Sequence, residues 1–130
     1  MRLLLDTHAL IWWLGARKRI PKPLQVLLLD PGHDVLVSAT TAWEIAIKRR
    51  IGKLEFDAGF LGDFDRQVIA LGFAPLAVTA AHMVAGAGID APNKDPFDRI
   101  LAGQALAENL VVVTADQALA GLGAAVVWER

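Results

Sequence analysis

The chain is predicted to be an α/β protein: one three-layer domain over residues 1–130, with a parallel sheet between two layers of helices. Its strand-like segments are continuous apolar runs, as expected of strands buried on both faces. Helix-like segments separate those runs, the pattern of strand–helix–strand crossovers. A length of 130 residues suits one domain with a sizeable core and is too short for two ordinary ones.

Residues 2–5 (RLLL) read as the first strand, and 9–14 as a short helix carrying Trp12 and Trp13. Pro21 and Pro23 open a helix through Leu24, Leu27 and Leu28, which Pro31-Gly32 stops. Residues 34–37 form the second strand, and 41–51 a helix closed by Gly52. A helix over 58–71 ends at Gly72, and 73–78 is the third strand. Residues 79–86 are helical with Thr79 as cap, 93–96 form a loop, and 96–108 a strong helix. The fourth strand is 110–113, a small helix covers 117–122, and a last short strand spans 125–128. Right-handed crossovers place all strand C-termini at one edge, where ligands of open α/β sheets bind.

Composition narrows the function. Hydrophobic residues make up 55% before the 11 glycines are counted, above the ~45–50% typical of soluble domains with glycine included. Part of that excess is expected on a surface covered by a partner, so a homo-oligomer or a bound protein is the default. A net charge of −1 provides no global attraction for nucleic acid, which leaves local patches or a bound metal. The absence of cysteine excludes disulfides and thiol chemistry, and is compatible with a cytoplasmic location. Residues 68–89 lack Asp, Glu, Lys and Arg, but Gly72, Pro75, Gly86 and Gly88 interrupt them. They read as a buried strand and a helix, not as a membrane span.

Four acids fall at the expected ligand edge: Asp6, Glu44, Asp98 and Asp116. Each also has a local explanation. Thr41-Ala42-Trp43-Glu44 matches a capping box, Asp95-Pro96-Phe97-Asp98 a helix start, and Asp6 and Asp116 suit helix N-termini. Their convergence is harder to explain by capping. Carboxylates ~4 Å apart repel by roughly 4 kcal/mol per pair at an effective dielectric near 20, against about 1 kcal/mol for a cap. A divalent cation reverses that sign, and all-oxygen ligation suits Mg²⁺ or Mn²⁺ and not zinc. Such a site activates water for attack on a phosphodiester. Asp95 and Asp98 both have access to it from one helical turn. Asp98 is assigned by its place before Ile100-Leu101-Ala102, with Asp95 as the cap.

Among the cations, Lys48 and Arg49 on the helix of Glu44, and Arg99 beside Asp98, are candidate substrate contacts. Each has an ordinary alternative as a helix-end charge or surface pair. His8 is read as a hydrogen-bonded structural residue, and Trp12-Trp13 as core and interface.

Leu4-Leu5-Asp6-Thr7-His8-Ala9-Leu10-Ile11-Trp12-Trp13 resembles the opening of PIN-domain ribonucleases. Ser38-Ala39-Thr40-Thr41-Ala42-Trp43-Glu44-Ile45-Ala46-Ile47-Lys48, Asp95-Pro96-Phe97-Asp98-Arg99-Ile100-Leu101-Ala102 and Val113-Thr114-Ala115-Asp116 resemble that family's later blocks, in order along the whole chain. The bacterial VapC-type toxins of toxin–antitoxin pairs are the group it resembles most. The resemblance implies five parallel strands in order 3-2-1-4-5, a homodimer, and an Mg²⁺- or Mn²⁺-dependent endoribonuclease inhibited by a cognate antitoxin. It further implies Asp6 and Asp98 as metal ligands, Glu44 and Asp116 completing the catalytic shell, and Thr7 and Thr114 steadying neighbouring groups. A haloacid-dehalogenase-like phosphatase also begins Leu-Leu-Asp, but requires a second Asp where this chain has His8. A PIN-fold nuclease acting on structured DNA is the other alternative.

Overall fold

A computed structural model describes residues 1–129. Its elements, in order, are β1 (Arg2–Leu5), α1 (Thr7–Gly15), a 3₁₀ turn (Arg17–Arg19), α2 (Lys22–Leu29), β2 (Asp34–Ser38), α3 (Ala39–Arg50) and α4 (Ala58–Gly62). Then come α5 (Phe64–Ala70), β3 (Ala74–Leu76), α6 (Ala80–Ala87), α7 (Pro96–Glu108), β4 (Val111–Val113), α8 (Gln117–Ala120) and β5 (Val126–Val127). The five strands form one parallel sheet in order β3-β2-β1-β4-β5. Fold class and strand order are those expected.

Alternation along the strands divides the core into two layers. Leu3, Leu5, Val35, Val37 and Val113 face α1 to α5, with Leu10, Trp13, Ile45 and Phe60 packed on them. Leu4, Leu36 and Val112 face the other way, onto Leu101, Ala102 and Ala105 of α7 and Leu119 beyond it. On that side α6 crosses α7 at two glycines. A Cβ on Gly103 would lie 2.3 Å from the His82 carbonyl oxygen, and one on Gly86 2.3 Å from that of Arg99. Only hydrogen at both positions permits this approach. Buried His82 completes a capping box with Thr79 and meets Glu108 through Nε2 at 2.8 Å, tying the two helices together.

Two expected elements differ. The helix over 58–71 is broken at Asp63, whose backbone (φ −137°, ψ 39°) is not helical. The helix expected from 41 begins at Ala39, capped by Ser38, which accepts from the Thr40 amide at 3.1 Å. Among the described residues no helix is long and apolar enough to cross a membrane.

Candidate functional site

The sheet register builds the site. Leu5 pairs with Val37 on one side and Val113 on the other. The next residues, Asp6, Ser38 and Thr114, therefore stand at the C-terminal edge of three adjacent strands. Asp6 caps α1 by accepting from the Ala9 amide at 2.7 Å, and its other oxygen accepts from the Thr114 hydroxyl. It is buried, at 4% exposure. That burial raises its carboxyl above the ordinary 3.8; the Thr114 and Ala9 hydrogen bonds and His8 oppose the rise, and Asp116 adds to it.

Glu44 does not form the expected capping box. With α3 starting at Ala39, it is the helix's sixth residue, too far along to reach the free amides. It is buried instead, accepting from the Thr7 hydroxyl at 2.7 Å and pairing with Lys48 one turn on. The resemblance anticipated such support from Thr7 and Thr114.

Asp95 is the N-cap of α7, accepting from the Phe97 and Asp98 amides at 2.9 and 3.3 Å. Asp98, on the first turn, is half-buried. Desolvation pushes its carboxyl up to about 6; a hydrogen bond from Asn93 opposes this, and the charges of Asp95, Asp116 and Glu44 reinforce it. Asp116 is exposed and caps α8 through the Ala118 amide, while its own amide donates to Thr114. Each cap read from sequence thus coexists with a place in the cluster, Glu44 excepted.

Asp6, Glu44, Asp95, Asp98 and Asp116 line one small cavity of about 60 Å³, with Thr7, His8 and Lys48. The five carboxylates offer hard oxygens, and the space suits a hydrated ion and not an organic cofactor. Among the described residues no three of these groups form a ready ligand cage. Mg²⁺ needs none: it is usually held by one or two carboxylates and keeps several waters. The residues fit such a cation.

The three candidate substrate contacts separate. Lys48 lines the cavity. Arg49 is exposed, and its Nε donates to the Phe56 carbonyl at 2.9 Å, bracing the turn after α3. Arg99 donates four hydrogen bonds, to the carbonyls of Gly86, Ile89, Ala91 and Asn93. Four of its five N–H groups are so engaged, which makes it a brace for the segment before α7. His8 is exposed at the cavity and stands 5.9 Å from the Trp12 ring. Trp13 is core; Trp12 is only partly covered. Asn93 was not foreseen. It bonds both Asp98 and the Ala118 carbonyl, and the only sequence sign was its place in the Asn-Lys-Asp-Pro loop.

The PIN domain family model matches residues 3–124. No curated protein matches the chain by sequence. Among solved structures, VapBC2 from Rickettsia felis bound to a promoter DNA fragment is similar at TM-score 0.68 and 14% identity, over 99% of this chain and 100% of that one. VapBC-1 from nontypeable Haemophilus influenzae gives 0.65 at 19% identity, over 98% and 97%. FitAcB from Neisseria gonorrhoeae gives 0.62 at 20%, over 95% of each. These likenesses repeat the fold found here, and the family match, spanning nearly all of the sequence, contains all four acids: the chain belongs to the PIN domain family.

Proposed function

We propose that the chain is a Mg²⁺- or Mn²⁺-dependent endoribonuclease of the VapC type, the toxin of a toxin–antitoxin pair. The observation that carries this reading is the convergence of Asp6, Glu44, Asp98 and Asp116, from four separate stretches of the chain, on one small cavity at the C-terminal edge of the sheet. Membership in the PIN family and likeness to VapBC structures and to a toxin–antitoxin complex from Klebsiella pneumoniae support it.

Asp6 and Asp98 would hold the cation, with Glu44 and Asp116 completing and orienting the shell. A bound cation supplies a water acidic enough to act near neutral pH and offsets charge building on the phosphodiester. Thr114 and Thr7 fix the carboxylate planes of Asp6 and Glu44 through their hydroxyls. Lys48 turns from Glu44 to meet a phosphate, and Arg49 lies further along the same helix. The partners on this reading are RNA, a cognate antitoxin and a second copy of the chain, in the cytoplasm.

The test incubates the purified chain, freed of co-purifying protein, with an RNA pool and with structured DNA in Mg²⁺, Mn²⁺ or EDTA. Asp6→Asn and Asp98→Asn should abolish metal-dependent RNA cleavage, whereas Asp95→Asn should retain it. Cleavage surviving EDTA and both substitutions would refute the metal site. Cleavage confined to DNA would refute the substrate, and loss with Asp95→Asn alone would reverse the ligand assignment.

A further inference from the structure

Beside the acidic cavity lies a larger one, of about 620 Å³, between α1, the 3₁₀ turn and the end of α3. The two share Thr7, His8 and Lys48 in their linings, so they are immediate neighbours. Their electrostatics are opposite. Arg19, Lys48 and Lys53 line the larger one, and no carboxylate does. Arg19 and Lys53 enter no ion pair among the described residues; the Arg19 guanidinium instead lies over the Trp12 ring, 4.4 Å from its centroid. Ile11, Trp12 and Leu54 supply an apolar wall.

We infer that this cavity is the seat of the single-stranded RNA segment flanking the cut bond, with a base against Trp12 and the backbone on Arg19 and Lys53. The inference rests on the ribonuclease reading above and adds the route of the strand. Three features favour this occupant. The volume is within the ~300–1,000 Å³ of organic-ligand sites. Unpaired cations beside an aromatic ring are what single strands use, charge for the phosphates and a π-face for the bases. Finally, the cations begin where the acids end. Excess positive charge is thus available for the neighbouring phosphates, while the one to be cut sits over the acids and their cation. A duplex would keep its bases stacked away from the Trp12 wall.

The test measures binding of a fluorescently labelled single-stranded RNA dodecamer of mixed sequence by anisotropy, in EDTA, at several salt concentrations. Arg19→Ala/Lys53→Ala should weaken binding about tenfold or more at low salt and flatten the salt dependence by roughly 1.4 log units per log unit, about 0.7 for each phosphate no longer neutralised. Trp12→Leu should weaken binding about five- to hundredfold and leave the salt slope unchanged. Arg66→Ala, on α5 outside the cavity, should change neither. Because Trp12 also packs on Trp128, the unaltered protein provides an independent arm: 4-thiouridine RNA, irradiated, should cross-link within residues 7–19 or 48–54. Wild-type RNA affinity in the double variant, or adducts only outside residues 7–19 and 48–54, which together line the cavity, overturns the inference. So does a loss confined to binding of a protein partner, which would make the cavity a peptide groove. If the wild-type protein cleaves RNA while these variants bind normally, the seat alone fails; if it neither binds nor cleaves RNA, the ribonuclease reading fails with it.

Discussion

Thr114 holds the centre of the site with one hydroxyl, donating to Asp6 and accepting from the Asp116 amide. Thr114→Val keeps the shape and removes both bonds. It should weaken Mg²⁺ binding about 10- to 100-fold, as loss of groups supporting ligands does, with Thr114→Ser restoring it; calorimetric titration of Mg²⁺ measures both. Asp98 makes a second prediction, in pH. Its carboxyl titrates near 6 in the fold against an ordinary 3.8, so the folded state binds the proton more tightly than the unfolded chain. The stabilisation this provides is full below about pH 4 and is lost as pH rises through about 6. Metal-free protein should therefore lose melting temperature across that window, and Asp98→Asn should lose less. Mg²⁺ should act in the opposite direction, raising the melting temperature of the wild type above pH 6 and leaving Asp98→Asn unmoved. Thermal melts with EDTA or Mg²⁺ decide both points. Sequence identified these acids as candidates but could not show the role of Arg99, because its four partners are main-chain carbonyls, which any residue carries.

The helices differ in how plainly their ends are written. Residues 96–108 were legible to the residue because Asp95-Pro96 opens α7 and Asn109, in the left-handed conformation at φ 59°, closes it. The break at Asp63 was not, since the apolar spacing runs through it and no proline marks it. The start of α3 was misplaced by two residues because Ser38, Thr40 and Thr41 can all cap; β2's register, a long-range property, selects Ser38. The crossing of α6 and α7 makes a further prediction. Gly103→Ala places a methyl group against backbone and should destabilise the fold by about 1–3 kcal/mol or more. Gly62→Ala, at an open position on α4, should be neutral or stabilise by roughly 0.4–1 kcal/mol. Urea unfolding of the two variants separates them, and equal midpoints would contradict the close packing described.

For the molecule as a whole, exposed apolar side chains are spread over several elements, Val26 and Leu29 of α2 and Ile69 of α5 among them. Trp43, Met83, Val84 and Leu106 are more than half exposed, and Trp43 stands edge-on to Phe97 beside the acids. On the proposed reading the free chain should scatter light with about twice its 14.0 kDa mass; a monomer at micromolar concentration would contradict the dimer. The strand order has another effect, on timing. β1 is made before the other strands yet lies in the middle of the sheet, and its second neighbour, β4, is made only after β2 and β3. A ribosome that has released residues 1–90 has exposed Asp6 and Glu44 but neither Asp98, Asp116 nor the threonine that orients Asp6. Half of the acids lie in the last third of these 130 residues, so the proposed nuclease remains harmless to the messenger and machinery producing it until Asp98, Thr114 and Asp116 have joined Asp6 and Glu44.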